Sequence, residues 1–282
     1  VSSNAPKPVS ALEAGGELGR IRLTWKSEPY RPFVDHYAVY ASRQPDVSIG
    51  PETLLGKTIY PHFVHSRLGG EAQTWHYRVV VVEAAGYRSA PSRTVAGTSR
   101  ASIAVTGQPI ATVGTFDHKS LELALAPNGY AQYPTRFPSG PDFTCGVSDP
   151  AADWSYIHPG PSDAWANRKA WKATFRFQLS AVPATSPWLS IWLIDTHATI
   201  PGSAVLGLGG SELTTVVFEG GATRGSLEGD ATRPGSPLRP SYVELELPRE
   251  RLVAGENVLT IDKREGSWHA YDALGVFLPR TP

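Results

Sequence analysis

The residues best equipped for chemistry crowd into one stretch, Ser148 to Trp171, which reads S-D-P-A-A-D-W-S-Y-I-H-P-G-P-S-D-A-W-A-N-R-K-A-W. Trp154, Tyr156 and Trp165 supply flat apolar rings, and His158, Asp163 and Arg168 supply donors and acceptors between them. A pyranose is recognised by that combination: its C–H face stacks on an aromatic ring while its hydroxyls take hydrogen bonds. Arg168, Lys169 and Arg224 could also pair with a carboxylate on the sugar. The same cluster admits proton chemistry, with His158 or Tyr156 as the base at a C–H beside a carboxylate and Arg168 or Lys169 neutralising the acid group. Trp268 and Tyr271, near the end of the chain, make a second candidate rim. The competing reading is structural: the aromatics fold inward as a plug over a sheet edge, Asp149 before Pro150 caps a turn, and Asp163 does the same instead of meeting a hydroxyl.

Other chemistries find no support. There is no G-x-S-x-G, H-E-x-x-H or phosphate-binding loop, and the spacing of His36, His62, His65 and His76 matches no common metal-ligand pattern. A pair of glycosidase carboxylates stays open, because the separation that matters there is spatial. With 26 basic and 26 acidic residues the net charge is zero, so no nucleic-acid partner is expected. No apolar run approaches the roughly 20 residues that span a bilayer, so no membrane partner is expected either. Cys145 is the single cysteine and permits no intrachain disulfide. The chain opens at Val1 without a charged-then-apolar leader, which reads as a mature product or excised fragment, and Val1 to Pro6 are expected to be disordered or foreign to the fold.

The elements that must hold these residues are strands. Gly 27, Pro 25, Trp 8 and Tyr 11 in 282 residues fit an all-β protein with many turns. In the first hundred residues, Ile21–Trp25, His36–Ala41, Leu54–Thr58, His62–His65 and Trp75–Glu83 are short or alternating runs punctuated by turn signals such as Glu28-Pro29 and Arg31-Pro32. A segment from 99 to 112 reads as a linker with one strand at Ile103–Val105. Beyond it, Phe116–Ala126, Trp171–Leu179, Trp188–Asp195, Ala204–Leu208, Leu213–Phe218, Tyr242–Leu247, Val258–Ile261 and Trp268–Leu278 read as strands, with no convincing helix. Pro159-Gly160-Pro161 forbids a regular element in the aromatic stretch, which is therefore a loop. Core packing is expected for Trp171, Trp188 and Trp192, with Trp188 the nearest of them to a rim.

The runs L-T-W, Y-A-V-Y and Y-R-V-V-V-V-E-A-A-G-Y-R-S-A-P-S resemble a fibronectin type III domain over residues 1–98, with Trp25 as its core tryptophan and Tyr77 at its tyrosine corner. L-x-x-G-x-N-x-L-x-I followed by S-W-x-x-Y-D-A-L-x-V, from Leu252 to Val276, resembles a galactose-binding-like jelly roll, placed at 113–282. More narrowly, G-V-S-D-P-A-A-D-W-S-Y-I-H followed by W-K-A-T-F-R-F-Q-L, after a fibronectin-type domain, resembles the C-terminal part of rhamnogalacturonan-lyase-like polysaccharide lyases. That resemblance implies a secreted, non-catalytic accessory region binding an acidic plant or microbial polysaccharide, with the catalytic residues on an upstream domain. It also leaves two alternatives: a lyase in its own right using His158, Tyr156 and Arg168, or two structural domains docking the missing catalytic one. Many jelly-roll sugar binders carry a structural calcium, for which Glu122 and Asp272 are the candidate ligands; no other cofactor is expected.

Overall fold

Where alternating residues have a core to meet, they form strands. The computed structural model describes residues 5–26, 34–225 and 228–280. Val1–Asn4 and the Glu28-Pro29 and Arg31-Pro32 turn signals lie outside the described residues. The protein is all-β, 46% strand against 8% helix, and each helix is a single turn. None of the described helices is long and apolar enough to cross a membrane. The chain divides into two units, Val1–Ser102 and Ile103–Pro282.

The first unit contains β1 (Ser10–Glu17), β2 (Arg20–Lys26), β3 (Val34–Ser42), β4 (Leu54–Thr58), β5 (His62–His65), β6 (Thr74–Glu83) and β7 (Val95–Thr98). They form a three-stranded sheet, β1-β2-β5, and a four-stranded sheet, β4-β3-β6-β7, with every pair antiparallel. This is a fibronectin type III-like sandwich. Ile21, Leu23 and Trp25 on β2 alternate inward to meet Tyr37, Val39, Tyr77 and Val79. Trp25 lies edge-on to Tyr37, ring centroids 5.2 Å apart. The Tyr77 hydroxyl bonds Nδ1 of His65 at 2.9 Å, a side-chain partner where a tyrosine corner uses the backbone.

The second unit contains β8 (Gln108–Gly114), β9 (Asp142–Thr144), β10 (Ile157–His158), β11 (Trp171–Leu179), β12 (Trp188–Thr196), β13 (Ser203–Leu208), β14 (Ser211–Val217), β15 (Ser241–Glu246), β16 (Gly255–Lys263) and β17 (His269–Leu278). One sheet runs β10-β17-β12-β15 with β8 also on β17; the other runs β14-β13-β16-β11-β9. All pairs are antiparallel except β9 with β11. Two such sheets face to face make a jelly-roll sandwich. Phe175, Phe177, Leu259 and Ile261 on one inner face meet Leu189, Ile191, Leu274 and Val276 on the other.

Two expected strands are absent. Ile103–Thr106 is a helical turn, and the strand of that region is β8, which pairs with β17. Phe116–Ala126 alternates but forms turns, because carboxylates intercept its backbone. Glu122 Oε1 accepts the Thr115 N–H at 2.7 Å, while Asp272 Oδ2 and Oδ1 accept those of His118 and Lys119 at 3.0 and 2.9 Å. His118 and Leu125 sit at φ 65° and 68°, left-handed values that no strand admits.

Candidate functional site

The aromatic stretch is braced internally by one cap and stapled to the rest of the second unit at three places. Asp149 caps the turn Pro150–Asp153 by accepting the Ala151 N–H at 2.9 Å. Tyr156 donates its N–H to Ala124 and accepts from Tyr271, which continues into the β10–β17 pairing. The Pro159-Gly160-Pro161 bend presses on Gly266, where a Cβ on Gly160 would lie 2.4 Å from the carbonyl oxygen, so only glycine fits. Asp163 ties the bend down, accepting the Gly160 N–H at 2.8 Å and the Ser267 hydroxyl at 2.5 Å.

This stapling turns most of the expected rim inward. Trp154 is fully buried, its ring against Phe143, Phe175 and Tyr271 at centroid distances of 6.3, 6.3 and 5.3 Å. Tyr156, Trp268 and Tyr271 are buried with it, so none offers a ring face to a sugar. The physical reason is parity: Trp154 and Tyr156 are two residues apart on extended chain leading into β10, which places both on the core side. Asp163 is buried, with one oxygen taken by a backbone donor and the other by Ser267, so it is a turn anchor and not a hydroxyl ligand.

His158 does not stand where a catalytic base must stand. It is 1% exposed. Its Nε2 contacts the Trp171 carbonyl at 2.9 Å, which can only accept, so Nε2 carries the proton. Nδ1 then accepts the Tyr271 hydroxyl at 2.9 Å, and both nitrogens are committed. Desolvation pushes its pKa down to about 4, aided by Lys263 and opposed by the Trp171 carbonyl and Asp262. The lyase arrangement of His158, Tyr156 and Arg168 fails here: two of the three are sealed in the core and Arg168 alone is exposed. The calcium assignment fails for a similar reason, since both Asp272 oxygens and one of Glu122 hold backbone N–H groups of one turn. Among the described residues no cluster of three or more His, Cys, Asp or Glu side chains could hold a metal.

Behind His158 lies His269, ring centroids 4.9 Å apart, stacked on Phe218 at 4.5 Å. Burial, His158 and Lys263 hold it well below the ordinary imidazole range. Both histidines are therefore neutral when folded and take up protons on unfolding below pH 6.5, His158 over the window from 6.5 to about 4. Stability from both sites is lost as pH falls below the ordinary imidazole range, and for His158 the loss is about 1.4 kcal/mol per pH unit through that window. Urea unfolding of wild type and His158→Gln at pH 7 and pH 5 checks this. The drop in midpoint is expected to be smaller in the variant, and an equal drop in both would remove His158 from the acid response.

What remains at the surface is a corner. Trp165 stands on the turn Ala164–Ala166, half-buried, and packs edge-on against half-buried Tyr130 at 5.1 Å and 81°. Asn167 and Arg168 follow at φ 64° and 51°, and the left-handed turn leaves Arg168 exposed. Lys169 lies over the Trp171 ring, 3.6 Å from its centroid, with its ammonium donating to the Pro138 carbonyl at 3.3 Å. Two rings at right angles with an exposed guanidinium nearby can take a pyranose face and a carboxylate. Tyr130 was not anticipated as a site residue; its only sequence signal is a tyrosine beside the Asn128-Gly129 turn. Trp188 is half-buried and Trp192 buried, the latter in a cluster with Phe116, His118 and Tyr242 on the outer face of its sheet. Arg224 is exposed near His197, whose ring meets Trp268 edge-on at 6.1 Å.

Comparison with known proteins gives one family. The family model described as "CBM-like: Polysaccharide lyase family 4, domain III" matches residues 109–275. No curated protein matches the sequence. Solved structures similar to parts of the chain include a human fibronectin type III domain, 13% identical over 36% of this chain and 94% of that one, TM-score 0.30. A family 35 carbohydrate binding module from an environmental isolate is 16% identical over 39% of this chain and 72% of that one, TM-score 0.26. An alpha-L-rhamnosidase from Dictyoglumus thermophilum is 10% identical over 99% of this chain, which spans 29% of the rhamnosidase, TM-score 0.29.

Proposed function

The chain belongs to the carbohydrate-binding-module-like domain III family of polysaccharide lyase family 4, and from that premise we propose that it is an accessory region that holds an acidic, rhamnogalacturonan-type polysaccharide for a separate catalytic module, outside the cell. The contact is the Tyr130–Trp165 corner, where a pyranose stacks on the indole, and Arg168 meets a uronate carboxylate of the same strand. One observation supports this above the rest. Within Ser148–Trp171, Trp154 and Trp171 are buried and Trp165 alone keeps part of its ring in solvent.

A stacked ring contributes about 1–2 kcal/mol, so Trp165→Ala is expected to weaken binding about 5- to 30-fold. Isothermal titration or affinity electrophoresis with a rhamnogalacturonan-type glycan measures it. Because Trp165 is only half-buried, the melting temperature is expected to fall little. Arg168→Gln is expected to weaken binding to the acidic glycan and to leave any binding to a neutral galactan unchanged, with the gap closing at high salt. Unaltered affinity in Trp165→Ala would remove the corner as the binding surface.

A further inference from the structure

The fibronectin-type unit carries a cleft of its own, 370 Å³, on the outer face of its four-stranded sheet. Its floor is β3, where His36, Ala38 and Tyr40 share the outer face of the sheet, Ala38 and Tyr40 buried in a small cluster with Val47 and Val80 and only His36 partly exposed. Register places Lys57 of β4 beside Ala38 on one side, and Val82 of β6 beside His36 on the other. Arg88 pairs with Val82 at the next position outward and donates from its guanidinium to the Tyr40 hydroxyl. Two cations thus flank one floor, on backbone positions about 16 Å apart, three strand spacings across and two residues along. Between them the walls are apolar, Ile49, Leu54 and Val82. Neither cation makes an ion pair with a carboxylate among the described residues. Two acids stand at the edge and keep their charge without pairing with either cation: Asp35 faces Nδ1 of His36 at 2.6 Å, and Glu52, beside Gly50, accepts the Ser48 hydroxyl at 2.9 Å.

An open cleft with apolar walls and two cations that no carboxylate pairs suits a ring-sized ligand that is apolar on one face and anionic at its edge. We propose that this cleft is a second glycan subsite, taking a carboxylate-bearing pyranose, with Lys57 and Arg88 on the carboxylate and the ring against Leu54 and Ile49. The choice of a sugar acid as occupant rests on the accessory glycan-binding reading of the chain; the anionic, one-faced ligand chemistry does not.

The test uses the full chain, isotopically labelled, titrated with sodium galacturonate and in parallel with galactose. Galacturonate is expected to shift the amide resonances of His36, Ala38, Lys57 and Arg88, and galactose to leave them in place. Lys57→Glu reverses an exposed charge without touching the core, so its melting temperature is expected to match wild type while galacturonate binding weakens about fivefold or more. Trp165→Ala is expected to leave these shifts intact, so loss of the corner and loss of the cleft are read separately. Three results would overturn the assignment: equal shifts with galactose, undiminished binding in Lys57→Glu, or sulfate displacing galacturonate at equal concentration, which would mark a plain anion spot.

Discussion

Lys263→Met is expected to stabilise the second unit at pH 7 by about 2–4 kcal/mol. Lys263 has no exposed surface. Its ammonium donates to the Pro201 carbonyl and lies 4.2 Å from the centroid of Phe218. Desolvation pulls its pKa from 10.5 to about 7, opposed by the Asp163 carboxylate. That carboxylate is already engaged by Ser267 and Gly160, so it makes a weak counter-ion. At neutral pH the unfolded chain holds this proton fully and the folded chain only about half the time, a penalty on the order of 4–5 kcal/mol. Methionine retains the stem's packing on Phe218 and removes the charge. An unsatisfied Pro201 carbonyl and a lost cation–π contact return about 1–2 kcal/mol.

The pH dependence gives the sign independently. The folded pKa lies below the unfolded value, so the unfolded state binds more protons between pH 7 and 10.5, and wild-type stability from this site rises across that window. Lys263→Met has no such rise. Urea unfolding at pH 7 and pH 9.5 should therefore show the variant's advantage shrinking by about 3 kcal/mol. A variant destabilised equally at both values would mean that Lys263 is a charged partner of Asp163 that holds the fold together.

Lys263 also marks what the sequence makes legible. Leu259, Ile261 and Lys263 share one parity on β16, so the alternation that identifies the strand also points the lysine inward. The same rule places Trp171, Ala173, Phe175, Phe177 and Leu179 on the core side of β11, and all five are buried. Alternation fails at Phe116–Ala126, where the deciding bond comes from Asp272, more than 150 residues away, and no local pattern encodes it. Within Ser148–Trp171 the composition identifies a loop, but a loop has no period from which to read a facing direction. Trp154 and Trp165 look equivalent as letters; a two-residue pairing with β17 turns the first inward, and a single helical turn lifts the second to the surface.

That difference has a large consequence. Trp154→Ala is expected to cost about 3–5 kcal/mol, enough to unfold a marginal domain, because it empties a volume enclosed by Phe143, Phe175 and Tyr271 that the sheets cannot close. The indole nitrogen makes no hydrogen bond among the described residues, so Trp154→Phe forfeits volume alone and is expected to cost about 1–2 kcal/mol. Trp165→Ala, at a half-exposed turn, is expected to cost under about 1 kcal/mol. Binding should run in the opposite order: Trp154→Phe, which folds, is expected to hold glycan as tightly as wild type, and Trp165→Ala to lose most of it. Denaturation midpoints and glycan affinities measured on the same three preparations separate the roles. A folded Trp154→Phe that has lost glycan binding would place the indole at the ligand and sink the assignment of Trp154 to the core.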